Sequence, residues 1–311
     1  MEEKKLENLL QDAINFAKKK ELHGFSKNIG IAVNYCSTDD DKRQLLITEI
    51  DGLVKNSRFK EALEVTEKAG EYFTNGDEDF KNDVLMNRGV ILGQLGEYDR
   101  AIKLLNQLTS SNIVEIKIEA YTNLAWIYIL LYGREDDEKY LIKAEDICNQ
   151  VLEKSESVEL KESIHKALLT NLGCVYYNQG KYEKALEVFQ EQKEKFAGED
   201  KYPIIYNNIA SVLVKINRIA EAKEYLHKAL LKAESQKSYF DIAENYMISA
   251  EIAMLDEDYV QVKDNYVVAY DYFVKANNLE KACSVFQKIQ RVDFEVSNES
   301  LGKLSKQFST S

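Results

Sequence analysis

The feature that most constrains this chain of 311 residues is an internal repeat. An alanine flanked by charged residues recurs at intervals of 37 to 43 residues. The recurring positions are Ala62, Ala101, Ala144, Ala185 and Ala222, with Val262 in a sixth copy. This spacing fits a pair of helices with their turns and is too long for a heptad coiled coil. We therefore expect about six antiparallel helix pairs.

Two further signals mark the inside of each pair. A small residue precedes the repeat alanine in five copies, at Gly89, Ala125, Gly173, Ala210 and Ala250. A small side chain at a helix contact lets two backbones approach closely. Gly96, Gly180 and Asn217 stand between the two helices, and Glu257 takes this position in the sixth copy. Glycine and asparagine favour the left-handed conformation that ends a helix, so these positions predict tight turns.

The sequence predicts three segments. Residues 1–42 form an N-terminal helical cap, residues 43–275 the helical repeats, and residues 276–311 a C-terminal capping helix and tail. Residues 2–20 have apolar side chains at helical spacing and predict an amphipathic helix. Stacked repeats need end units that cover their apolar faces, which favours capping for both flanks. The alternative is that the flanks form a partner surface or the interface of a homodimer.

Charge and hydropathy exclude some partners. The chain has 53 Asp and Glu against 41 Lys and Arg, a net charge of -12. Such a charge repels phosphate backbones and anionic membranes, so we expect no nucleic acid and no membrane among its partners. No segment approaches ~18 uninterrupted apolar residues, and the N-terminus lacks a signal-peptide pattern. The expected location is cytoplasmic.

Catalytic and metal-binding motifs are missing from the sequence. The four cysteines form no CxxC pair, the three histidines no HExxH motif, and there is no glycine-rich phosphate loop. Runs of acidic residues such as REDDE are typical of a solvated surface. We therefore expect no catalytic residue, no metal and no cofactor.

One stretch carries a family resemblance. Residues 171–189, NLGCVYYNQGKYEKALEVF, resemble the tetratricopeptide repeat consensus along their whole length, and the resemblance extends over roughly residues 43–275. It implies an all-α, right-handed superhelical solenoid of antiparallel helix pairs. Two departures are a period longer than the usual ~34 residues and the absence of the family's proline after the second helix. Pro203 instead stands where the first helix of the fifth pair should begin.

The resemblance also implies which residues face inward. The concave side of stacked hairpins is lined mainly by the first helix of each pair. An asparagine stands two residues before the small residue in four consecutive pairs, at Asn87, Asn123, Asn171 and Asn208. A side-chain amide carries a donor and an acceptor and can pair with a peptide unit of an extended chain. The alternative is packing between hairpins, because asparagine is common here in the family.

These considerations predict one peptide-binding groove. Its predicted residues are Asn87, Asn123, Trp126, Asn171, Tyr177, Asn178, Asn207, Asn208, Met247 and Glu251. Trp126 could equally belong to the core between helices, since large aromatic side chains often pack inside. Family members that bind acidic tails use inward lysines and arginines, and these positions lack them here. A neutral, apolar or basic segment is therefore expected rather than an acidic one.

The sequence thus predicts a module that captures an extended peptide or protein segment. The long repeat period and the general composition of the chain also give a weaker resemblance to the repeat domain of bacterial regulators that sense signalling peptides, without their DNA-binding domain. A signalling-peptide sensor is the function this implies. Two alternatives stay open: an assembly scaffold or oligomerisation adaptor that uses the convex face or caps, and a phosphatase-like regulatory protein.

Overall fold

The computed structural model describes residues 8, 28–29, 31–36, 38–55, 57–70, 78–155, 160–196 and 203–309. The helix predicted for residues 2–20 lies outside this part of the chain, except for residue 8. Every regular element among the described residues is helical. None of these helices combines the length and the apolar character needed to cross a membrane.

The chain divides into an N-terminal unit, Met1–Asn171, and a C-terminal unit, Leu172–Ser311. The N-terminal unit contains α1 (Asp39–Lys55), α2 (Phe59–Ala69), α3 (Glu78–Gln94), α4 (Tyr98–Leu108), α5 (Val114–Glu135) and α6 (Lys139–Ser155). Helix α7 (Glu162–Asn178) begins in this unit and ends in the next. The C-terminal unit continues with α8 (Tyr182–Lys195), α9 (Pro203–Lys215), α10 (Ile219–Gln236), α11 (Tyr239–Leu255), α12 (Tyr259–Lys275) and α13 (Leu279–Ser309).

The helices pack in the order of the chain. In the N-terminal unit each helix from α1 to α6 packs on the next, and the same holds from α8 to α13 in the C-terminal unit. The first helices of successive pairs also contact each other, α1 with α3, α3 with α5, and α9 with α11. The all-α class and the helix pairs expected from the repeat spacing are thus confirmed. The segment that the sequence assigned to a C-terminal capping helix and tail forms the single helix α13.

The predicted turns all end a helix in the same way. Gly96, Gly180, Asn217 and Glu257 have φ angles of 75°, 73°, 60° and 55°. After Gly96, the N–H of Glu97 donates to the carbonyl of Leu92 at 2.9 Å. This bond and the one from the Gly96 N–H to the Gly93 carbonyl satisfy carbonyls that the helix end would leave unpaired. The same pair of bonds recurs at the other three turns, so each first helix stops sharply and the second can fold back.

The repeat alanines lie in the core. All five, and Val262, are 0% exposed. A Cβ added to Gly173 would lie 2.3 Å from Cε1 of Phe189, and one added to Gly89 would lie 2.7 Å from Cδ2 of Leu105. The small residues therefore permit the close approach of α7 to α8 and of α3 to α4, as predicted.

The irregularities in the repeat have local explanations. Helix α5 has 22 residues against 17 in α3, so a longer first helix accounts for part of the long interval between Ala101 and Ala144. It ends at Glu135, and the next residue, Asp136, adopts a left-handed conformation and donates its N–H to the carbonyl of Tyr132. Pro203 is the first residue of α9, the position predicted for it.

Candidate functional site

The C-terminal unit contains one groove that gathers many of the predicted residues. It has a volume of about 520 Å³ and is lined from α7, α9, α11 and α13, with Phe189 of α8 and Phe273 of α12 contributing. We call it the C-terminal groove, and its residues are Cys174, Tyr177, Asn178, Phe189, Asn208, Ser211, Glu244, Met247, Ile248, Glu251, Phe273, Lys281, Ser284, Val285 and Lys288.

Half of the predicted peptide-binding residues line this groove. They are Tyr177, Asn178, Asn208, Met247 and Glu251. The spacing of first helices explains why they meet: α9 and α11 pack directly on each other, and these residues lie on the sides facing the groove. The resemblance to the tetratricopeptide repeat had implied that these residues lie on one inward surface.

Asn208 is the groove residue with a buried side-chain donor that forms no hydrogen bond to the described residues. Its Nδ2 atom is buried and has no hydrogen-bond partner among the described residues. A buried donor without a partner costs roughly 1–3 kcal/mol. The terminal torsion of asparagine is broad, so a modest rotation can turn the amide toward the groove. Asn178 differs, because its Nδ2 already donates to the carbonyl of Cys174 in its own helix at 2.9 Å.

Two of the predicted asparagines are used between helices. In the N-terminal unit Asn171 is 6% exposed and donates from Nδ2 to the carbonyl of Thr122 on α5 at 3.0 Å. In the C-terminal unit Asn207 is 4% exposed and donates to the carbonyl of Asp241 on α11 at 3.1 Å. These bonds join first helices of successive pairs. Their geometry favours the packing alternative for both residues, and a peptide-binding role for either stays a prediction.

The remaining predicted residues belong to the N-terminal unit. Asn87 is half-buried and donates to the carbonyl of Asp83 within its own helix at 3.1 Å. Asn123 and Trp126 are half-buried on α5. The Trp126 ring packs against a core cluster and lies beside Gly93, where an added Cβ would be 2.9 Å from its Cζ3. Three of the four recurring asparagines thus lie in the N-terminal unit and Asn208 lies in the C-terminal unit. A peptide-binding role for all four stays a prediction.

Charged residues in the groove are paired across helices. Lys215 on α9 places its Nζ 3.1 Å from Oε2 of Glu251 on α11. Lys281 on α13 pairs with Glu244 on α11. Both glutamates of the groove, Glu244 and Glu251, therefore already have a cation beside them.

The same network includes Tyr177. Burial raises the pKa of the Tyr177 hydroxyl, and the charge of Lys215 partly opposes this. The pKa of Lys215 is itself raised: burial acts against its charge, and Glu251 together with Tyr177 outweighs burial. Tyr177 therefore stays a neutral donor, and Lys215 stays charged, throughout the physiological pH range.

Sequence reasoning missed the contribution of α13. Lys281, Ser284, Val285 and Lys288 line the groove, although the sequence assigned this helix to capping. The signal was present, because these residues repeat the spacing of Glu244, Met247, Ile248 and Glu251 one helix pair earlier. Helix α13 therefore continues the series of first helices after the last repeat alanine.

The thiol in the groove is expected to be unreactive. Burial raises the pKa of Cys174 from 9.0 to about 11. Because the thiolate is the nucleophile, iodoacetamide at pH 8 should alkylate Cys174 about 100-fold more slowly in the folded protein than in denaturant. Mass spectrometry after timed labelling measures this rate, with the exposed Cys283 as the internal reference. Equal labelling of both cysteines in the folded protein would contradict the burial of Cys174.

Family models agree with the geometry of the helix pairs. Paired helices, buried repeat alanines and a groove lined by first helices define a helical-repeat protein. The profile described as tetratricopeptide repeat protein 21 ARM repeat matches residues 2–147. Two tetratricopeptide repeat profiles match residues 167–191 and 205–235. The chain therefore contains tetratricopeptide-type repeats over these three stretches.

Solved structures agree with this fold. A tetratricopeptide repeat protein from Parabacteroides merdae ATCC 43184 has a TM-score of 0.59 and 17% identity, covering 90% of this chain and 98% of its own. Bacillus thuringiensis PlcR, in complex with the peptide PapR7 and DNA, has a TM-score of 0.54 and 19% identity, covering 70% and 80%. A Rap protein complexed with competence and sporulation factor has a TM-score of 0.58 and 13% identity, covering 94% and 87%. No curated protein matches the chain.

Proposed function

We propose that the C-terminal groove binds an extended peptide or protein segment. The observation that carries the proposal is the meeting of five predicted contact residues in one groove, around the buried and unpartnered amide nitrogen of Asn208. The groove volume of about 520 Å³ lies within the range of ~300–1,000 Å³ found for ligand pockets.

In this proposal, different residues of the groove contact the backbone and the side chains of the bound segment. The Asn208 amide donates to a carbonyl of the bound backbone, and this bond removes the cost of its unpaired donor. Met247 and the ring of Tyr177 provide apolar walls on either side of the amide, on α11 and α7. Backbone pairing gives affinity without sequence preference, and the walls select side chains.

Structural neighbours support the choice of ligand class. The structure of PlcR contains the peptide PapR7, and that of the Rap protein contains competence and sporulation factor. Both share the helical-repeat fold at low sequence identity, so the groove's own chemistry carries the argument. In this proposal the protein acts by binding, and a signalling-peptide sensor or regulator is the form of that function we favour.

Affinity selection tests the proposal. Immobilised protein is exposed to random decapeptides, and retained peptides are identified by mass spectrometry and measured by calorimetry. Replacing Asn208 with alanine should lower the affinity for the retained peptides roughly 3- to 10-fold, which corresponds to the loss of one hydrogen bond. Met247→Ala should weaken them further, because it removes buried apolar area.

A matched control separates the groove from general effects of the substitution. Asn106→Ala makes the same change on the exposed face of α4 in the N-terminal unit and should leave binding unchanged. The proposal is wrong if no peptide is retained. It is also wrong if Asn208→Ala and Met247→Ala retain the same peptides as strongly as the unaltered protein.

A further inference from the structure

One lysine in the C-terminal groove has no acidic partner among the described residues. Lys288 on α13 lines the groove and is half-buried. Its Nζ lies 5.7 Å from the centroid of the Tyr266 ring on α12. No carboxylate lies within ion-pair distance of this ammonium among the described residues. The ring gives a weak interaction, which leaves most of the charge of Lys288 unopposed.

The other cations near the groove are already neutralised. Lys281 pairs with Glu244, and Lys215 pairs with Glu251. Those two pairs use both carboxylates of the groove. The groove and Lys215 together therefore carry one excess positive charge, located at Lys288, in a chain whose net charge is -12.

We infer that the segment bound in the C-terminal groove carries a carboxylate that pairs with Lys288. This inference rests on the proposed function. The Lys288 side chain lines the groove, so a carboxylate on a bound segment can reach its ammonium and accept a charge-assisted hydrogen bond from it. Ser284 lines the same stretch of α13, one helical turn before Lys288, and its hydroxyl can donate to the second carboxylate oxygen.

The inference revises the charge preference drawn from the sequence. That preference rested on the lack of lysines and arginines at the inward positions of the repeats. The structure gives both glutamates of the groove lysine partners, and it adds Lys288 from a helix that was assigned to capping. An acidic group on the ligand is therefore the better match to the charge that the groove leaves unpaired.

The carboxylate can come from an acidic side chain or from the C-terminus of a peptide. Three decapeptide libraries distinguish these sources: free-acid peptides without Asp or Glu, amidated peptides with one Asp, and amidated peptides with Asn in place of that Asp. We expect one of the two carboxylate libraries to bind roughly tenfold more tightly than the uncharged one. In Lys288→Gln this difference should disappear, and in Lys288→Arg it should remain.

The control is a lysine in the same setting outside the groove. Lys275 on α12 lies 4.5 Å from the Tyr272 ring centroid, so Lys275→Gln also removes one charge from above a tyrosine. It should leave the preference for carboxylate intact. Thermal melts of each variant confirm that the fold is retained.

The outcomes separate the inference from the proposed function. If the three libraries bind equally well to the unaltered protein, the groove binds peptides and the inference about Lys288 is wrong. The inference also fails if a carboxylate preference persists in Lys288→Gln. If none of the libraries binds, both the proposed function and the inference are overturned.

Discussion

Replacing Gly173 with alanine should lower the free energy of unfolding by about 2 kcal/mol. The added Cβ would lie 2.3 Å from Cε1 and 2.5 Å from Cζ of Phe189. Phe189 is only 2% exposed, so its ring has little room to move away. Overpacking of this kind costs up to about 3 kcal/mol, and the better helix propensity of alanine offsets about 1 kcal/mol. Urea denaturation followed by circular dichroism measures the change.

A second glycine supplies the control for this substitution. Gly133 also lies within a helix, α5, and a Cβ added there meets no atom within 4 Å. Gly133→Ala should therefore stabilise the protein by up to about 1 kcal/mol. Introducing Phe189→Leu should cost less in the Gly173→Ala background than in the unaltered protein, because it relieves the crowding. Additive losses would show that the two side chains do not compete for space.

The helix pairs could be predicted because their signals are local and repeat. A turn that reverses the chain requires a residue with positive φ at a fixed place, which Gly96, Gly180 and Asn217 supply. Glu257 adopts the same conformation without being glycine or asparagine, so its position in the repeat predicted its turn better than its residue type did. Buried alanine at the repeat position follows from the close packing of two helices.

The sequence could not predict which asparagines bond to a neighbouring helix and which keep a donor without a partner. Asn171 and Asn208 occupy equivalent positions in the repeat, yet Asn171 bonds to the carbonyl of Thr122 while the amide nitrogen of Asn208 has no described partner. The difference depends on which backbone carbonyl of a neighbouring helix comes within reach. A sequence reveals the register of a helix but not the distance to such a carbonyl.

The role of α13 in the groove was missed for a related reason. No repeat alanine follows Val262, so the pattern that identified the pairs ended before this helix. Packing on α12 nevertheless places the groove-facing residues of α13 beside those of α11. The charge of the groove therefore depends on a helix that lies beyond the recognisable repeat.

Replacing Asn245 with alanine is expected to lower the free energy of unfolding by about 2 kcal/mol. Asn245 is 3% exposed, and its Nδ2 donates to the carbonyl of Leu226 on α10 at 2.7 Å and to Oδ1 of Asn207 on α9 at 3.2 Å. Its loss removes both bonds and leaves the Asn207 oxygen buried without this donor. Asn106→Ala, an exposed change, should have almost no effect.

A double-mutant cycle tests whether Asn245 and Asn207 stabilise the fold together. Because Asn207 also donates to the carbonyl of Asp241, the two amides join α9, α10 and α11 in one network. Once either amide is missing, the bond between them is already lost, so the double alanine variant should be about 1 kcal/mol more stable than additive losses imply. Additivity within ~0.3 kcal/mol would contradict the network.

The two buried amides are close in sequence to residues that line the groove. Asn208 directly follows Asn207 on α9, and Met247 lies two residues after Asn245 on α11. The buried amides therefore set the spacing of the groove residues, and Asn245→Ala should weaken peptide binding although it does not line the groove.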